Sequence, residues 1–224
     1  MHYDSDPARP YGPKWKQVTP RGLPADFRPC STAASGERIL RAELEHDDDD
    51  LSLICVQLAQ TESGCMISRA ANIFDVRAVR GEGAPFVSAF GIFQWNQPCL
   101  EAVLKLHRAL GIIYEVGGKQ LGKGTLPHKL NPELEIEIPL NQYRRIWAEC
   151  DGWPASYRAR AIRLWHISPA LYKRLRAEAK TSGILIAWAA LAREWETSGK
   201  EWVRGVAPTI NRRVKLLKFS DGSK

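Results

Sequence analysis

Two stretches decide how this chain is read: Leu51–Gly64, LSLICVQLAQTESG, and its downstream counterpart Ala89–Asn96, AFGIFQWN. In the first, apolar residues recur at helical spacing and the run closes on Gly64, a residue suited to ending a helix in a left-handed turn. The pattern predicts an amphipathic helix that delivers Glu62 and Ser63 to its own C-terminal end. Just upstream, Asp47, Asp48, Asp49 and Asp50 stand where that helix begins. Acidic groups there cap free N–H groups and complement the helix dipole, so a cap and a solvated turn are expected rather than a metal site.

Working outward, Met1–Ala34 contains Pro7, Pro10, Pro13, Pro20, Pro24 and Pro29, which forbids helix and suits an extended arm or linker. Ser35–Glu45 reads as a short helix. Pro98–Val116 reads as a helix with Leu100, Val103, Leu104, Leu106, Leu110 and Ile113 in one apolar stripe. Gly117–Pro132 reads as a loop, and Glu133–Pro139, ELEIEIP, alternates like a short strand. Helices are then expected at Asn141–Glu149, Ser156–Lys180, Ser182–Thr197 and Gly199–Lys218, with breaks at Asp151-Gly152, near Ser168-Pro169, at Gly183 and around Pro208. The segment GILIAWAALA is apolar all round and is expected at the centre of the core. The fold class that follows is mainly α with a short strand or hairpin element, as residues 35–224, preceded by a Pro-rich arm, 1–34.

The 224 residues are 44% hydrophobic and 25% charged, which excludes wholesale disorder and fibrous repeats. A net charge of +7 and a pI near 9.3 suit an anionic partner: nucleic acid, a membrane surface or a cell-wall polymer. The basic residues are dispersed, and no helix-turn-helix, RRM or zinc signature accompanies them, so no nucleic acid is expected. Cys30, Cys55, Cys65, Cys99 and Cys150 show no metal-ligand spacing and read as buried or free thiols. The N-terminus lacks the apolar core of a secretory signal, and the apolar run Ile184–Ala192 is about half a membrane span. In GGKQLGKGT, Gly117, Gly122 and Lys123 match part of a phosphate-binding loop. Pro127 and Pro132 follow where such a loop needs a helix, which points instead to a basic surface loop.

The order of Glu62-Ser63 at a helix end and Gly91-Ile92-Phe93-Gln94 downstream resembles the lysozyme-like superfamily, specifically goose-type lysozymes and soluble lytic transglycosylases. Those families carry a Glu-Ser pair followed by a Gly-Leu-Met-Gln-like turn, and the resemblance covers about Leu51–Asn96. It implies a lysozyme-like fold and cleavage of the β-1,4 MurNAc-GlcNAc bond of peptidoglycan, with Glu62 as general acid. Asp75 follows Glu62 by 13 residues (75 − 62), similar to the second carboxylate of goose-type lysozymes. Ser63, Phe90, Gly91, Gln94 and Asn96 are the substrate-binding residues it implies. Asn96 stands where that family can carry an Asp, the segment between Asp75 and Gly91 is long, and an Ala-Tyr-Asn segment is not evident downstream.

A protonated carboxyl among apolar neighbours such as Phe74, Phe90, Phe93 and Trp95 is suited to protonating a glycosidic oxygen. Trp147, Trp153, Trp165, Trp188, Trp195 and Trp202 read as core residues before sugar platforms, and His107 and His166 as structural. No metal or organic cofactor is implied. The expected partner is the peptidoglycan glycan strand, with room for an inhibitor or immunity protein, and no membrane span. Without a signal sequence, the wall would be reached after lysis, through a secretion apparatus or within a larger polypeptide. A phage lysin and an antibacterial effector fit equally. The alternatives are a lytic transglycosylase giving 1,6-anhydro products, a non-catalytic glycan-binding module and a nucleic-acid-binding module.

Overall fold

The run of aspartates starts the second helix as expected, through one member. The Asp48 carboxylate accepts the N–H groups of Asp50 and Leu51 at 2.9 and 3.1 Å, a side-chain cap on a helix that otherwise opens with unsatisfied donors. Asp49 is exposed, as a solvated turn requires, but the other two members of the run are engaged. Asp47 accepts a forked pair of bonds from Arg144, and buried Asp50 accepts from the N–H and hydroxyl of Ser220 at 2.8 and 2.6 Å.

The structure, a computed structural model, describes residues 33–65, 70–71, 89–95, 97–116, 119–121 and 132–224. The proposed arm lies outside them, apart from Ala33 and Ala34, which open the first helix. Among these residues the chain is mainly helical: α1 Ala33–Glu43, α2 Asp49–Ser63, α3 Gln97–Ala109, α4 Pro132–Glu149, α5 Ala155–Ile167, α6 Pro169–Ser182, α7 Ile184–Glu196, α8 Glu201–Arg204 and α9 Val206–Val214. Four two-residue strands form two antiparallel pairs. β1 Ala70–Ala71 lies against β2 Ala89–Phe90, and β3 Glu115–Val116 against β4 Lys119–Gln120. No helix among the described residues is long and apolar enough to cross a membrane.

The chain divides into two compact units, one drawn from Met1–Glu45 and Val56–Leu140, the other from His46–Cys55 and Asn141–Lys224. The first is built around Leu40, Leu58, Ile92, Phe93, Ile136 and Ile138, all essentially inaccessible to solvent. In the second, α5 packs on α6, α6 on α7, and α9 on both α5 and α7. Its helices are kept short by single-residue joints. Ser168 is extended, gives its N–H to Leu164 and accepts that of Leu171, and Pro169 then fits the first turn of α6. Gly183, at φ +81°, separates α6 from α7.

Several expectations are corrected. The segment read as a strand at Glu133–Pro139 is the first half of α4, which continues through Pro139 to Glu149. Leu134, Ile136, Ile138 and Leu140 alternate, yet Glu135 between them is buried too, so the pattern belongs to a helix enclosed on most sides. α3 ends at Ala109 rather than near Val116. Gly111, at φ +83°, turns the chain, and Leu110 and Ile113 are exposed instead of completing the apolar stripe. The break expected near Ser168-Pro169 is present and divides Ser156–Lys180 into α5 and α6, whereas the last break falls at Gly205 rather than around Pro208, which sits inside the first turn of α9, where its missing N–H is tolerated. α7 is not central: Ala187, Trp188, Leu191 and Trp195 face inward while Leu185 and Ile186 are 58% and 62% exposed. Trp147, Trp165, Trp188 and Trp195 are core residues, but Trp202 is exposed.

Candidate functional site

Glu62 and Ser63 form the last turn of α2, as the spacing predicts. Gly64 and Cys65 follow in the left-handed region at φ +67° and +60°, and their N–H groups return to the carbonyls of Gln60 and Ala59 at 3.1 Å each. This satisfies carbonyls that a helix end leaves open and stops the helix directly after the Glu-Ser pair. Glu62 is half-buried, whereas Ser63 is buried. Burial of the adjacent thiol pushes Cys65 up to about 11, so it is a neutral neighbour of the site at physiological pH.

The second stretch folds into a tight turn rather than a long strand. β2 stops at Phe90, and the Gln94 N–H donates to the Gly91 carbonyl at 3.0 Å. Gly91 lies at φ +82° and Gln94 at +51°, a conformation that an L side chain at position 91 would resist. The Gln94 side-chain amide also donates to the Gly91 carbonyl, at 2.7 Å. Gln94, expected from sequence to contact substrate, therefore spends one of its two amide hydrogens on its own turn. Ile92, Phe93 and Trp95 are buried, so the turn is anchored by its apolar residues.

The two stretches meet. Ser63 Oγ stands 2.7 Å from the carbonyl oxygen of Ile92 and 3.2 Å from that of Ala59, one turn back in α2. Its single hydrogen serves the nearer acceptor best. Ser63 is thus a fastener between helix end and turn, where the resemblance implied a substrate contact. On the other side, the Ile92 N–H donates to Glu135 Oε1 at 2.9 Å. Glu135 projects from α4 and is 4% exposed. Sequence reasoning missed this residue because LEIEI reads as a strand with carboxylates on its solvent face. The usable signal was a carboxylate flanked on both sides by large apolar residues.

Of the other residues named from sequence, Phe90 is located by its backbone in β2, and Asp75, Phe74 and Asn96 lie outside the described residues. His107 is buried with Nδ1 2.9 Å from the Tyr114 hydroxyl, and His166 Nδ1 lies 3.0 Å from that of Tyr143, both structural pairings. Cys55, Cys65, Cys99 and Cys150 form no disulfide among the described residues. Among the described residues no three His, Cys, Asp or Glu side chains gather as a metal ion would require. Most of the phosphate-loop candidate lies outside the described residues, and its Lys119–Gln120 portion forms β4.

No family model, curated protein or solved structure matches the chain.

Proposed function

We propose that the chain is a peptidoglycan-cleaving glycosidase of lysozyme type, with Glu62 as general acid toward the β-1,4 MurNAc-GlcNAc bond. The observation that carries this reading is the bond from Ser63 to Ile92, which fastens the helix end bearing Glu62 to the Gly91–Gln94 turn. Residues that resembled a catalytic pair and its accompanying turn in sequence are joined in space, at the expense of two left-handed non-glycine residues, Cys65 and Gln94. A half-buried Glu on a helix end fastened to a backbone-rich turn suits acid catalysis on a sugar, which calls for a carboxyl near polar groups that orient hydroxyls.

In this reading Glu62 protonates the departing glycosidic oxygen, and Asp75 activates the water that attacks the anomeric carbon. Phe90, Gly91, Gln94 and Asn96 contribute to the sugar site. No metal or cofactor is required. A lytic transglycosylase is the second reading, favoured by Asn96 in a position where goose-type lysozymes can carry an Asp. There the sugar's own 6-hydroxyl replaces water, and Glu62 alone suffices. The chain would act at the bacterial wall, as a phage lysin or an antibacterial effector. Turbidity loss of purified walls tests the proposal: Glu62→Gln should keep the fold and lose about 10²–10⁴-fold in rate, and lysis at wild-type rate by the folded variant would refute it. Asp75→Asn should be almost as inactive if water is the acceptor, and should remain active if the 6-hydroxyl is.

A further inference from the structure

We infer that Glu135 is a positioning residue of this site, holding the Gly91–Gln94 turn in register with the helix end that carries Glu62. The inference rests on the glycosidase reading and extends it to a residue outside the two stretches that suggested it. Ile92 is the pivot. Its N–H is held by Glu135 from α4 at 2.9 Å, and its carbonyl by Ser63 from α2 at 2.7 Å. Both main-chain polar groups of one buried residue are therefore fixed by side chains from two different helices, one of which bears the proposed acid.

The fit around Glu135 is close. A Cβ at position 91 would lie 2.8 Å from Glu135 Cγ and 3.1 Å from both Cδ and Oε1, so glycine is needed for the carboxyl to reach the Ile92 N–H as well as for the turn itself. Burying a carboxyl in a helix segment whose neighbours Leu134, Ile136 and Ile138 are all buried is costly unless its oxygens are bonded, and an apolar residue would pack there more favourably. What the carboxyl supplies is an acceptor for one backbone donor in the turn. Gln94 bonds twice to the Gly91 carbonyl, so a shift at Ile92 would carry Gln94 with it. Glu135 acts through the backbone, not on the sugar.

The test uses the full chain as wild type, Glu135→Ala, Glu135→Gln, Ser63→Ala and the double variant Glu135→Ala/Ser63→Ala. Circular dichroism checks folding, hydrogen exchange follows the peptide spanning residues 89–95, and wall-lysis rates are separated into kcat and KM. Glu135→Ala should speed exchange at Ile92 and reduce kcat by about 10–100-fold, as for a misplaced catalytic constellation. Glu135→Gln, whose amide oxygen can still accept, should recover most of the rate. The double variant should lose less than the product of the single losses, because both act through Ile92. A folded Glu135→Ala with unchanged kcat, or multiplicative losses, would overturn the inference. If Glu135→Ala does not fold, the decision falls on Glu135→Gln and Ser63→Ala: the inference requires loss of kcat in Ser63→Ala and most of the rate in Glu135→Gln, and any other pair of results overturns it. A wild type that cleaves no wall, with exchange still faster in Glu135→Ala, would remove the glycosidase reading and leave the fastening of the turn standing.

Discussion

The hydroxyl of Ser63 donates to the carbonyl oxygen of Ile92 at 2.7 Å, joining residues 29 apart in sequence. Both are buried, so water cannot substitute freely when the bond is removed. Ser63→Ala should therefore lower unfolding free energy by about 1–2 kcal/mol. Urea unfolding checks this, and an unchanged midpoint would show that the bond contributes nothing to holding helix end and turn together.

Gly91 and Gly64 both have positive φ but differ in what surrounds them. At Gly64 nothing lies within 4 Å of an added Cβ, so Gly64→Ala should cost only the conformational penalty, about 1 kcal/mol. At Gly91 the same change meets Glu135 Cγ at 2.8 Å and adds overpacking of about 1–3 kcal/mol. Thermal unfolding of the two variants should rank Gly91→Ala as clearly the less stable; the reverse order would contradict the packing of Glu135 on the turn.

The helix end and its partner turn were legible because the signals are local: apolar residues at helical spacing, Glu62-Ser63 at the end of the run, and glycines where left-handed backbone is needed. Asp48 as a cap was legible for the same reason. Glu135 was not, since strict alternation at Leu134–Ile138 carries opposite meanings for a half-exposed strand and an enclosed helix, and only tertiary packing decides. The apolar composition of α7 similarly does not reveal that Leu185 and Ile186 lie on its exposed side. The fastening role of Ser63 was also hidden, because a hydroxyl's acceptor lies on another segment.

Burial holds the Cys65, Cys99 and Cys150 thiols up at about 11, against an ordinary value of 9.0, and pushes Cys55 up as well. Between about pH 9 and pH 11 the unfolded chain releases protons from these thiols that the folded chain retains, so stability falls as pH rises through that window. Below pH 9 the thiols add no pH dependence. Denaturant titrations at pH 8 and pH 10.5 should give the lower stability at the higher pH, and replacing Cys65 and Cys150 with Ala should shrink the difference. A difference of undiminished size would assign the alkaline loss to other groups.

The basic residues are dispersed over the chain as a whole, and between Val203 and Ser220 Arg204, Arg212, Arg213, Lys215 and Lys218 have no carboxylate among them. Arg204, Arg212, Lys215 and Lys218 are exposed. If this stretch speeds encounter with the anionic wall, added salt should slow lysis, with exposed charges screened beyond about 8 Å at physiological ionic strength. Changing Arg212, Lys215 and Lys218 to Gln should flatten that salt dependence while leaving the saturated rate intact. A salt profile identical to wild type would place the effect elsewhere.

Mass spectrometry of the fragments released from purified peptidoglycan, with wild type and folded Glu62→Gln run side by side, asks whether Glu62 is the general acid. Wild type should release muropeptides with free reducing ends carrying the added mass of water, and Glu62→Gln should release none. No release by wild type, or the same fragments from both proteins, would contradict that role.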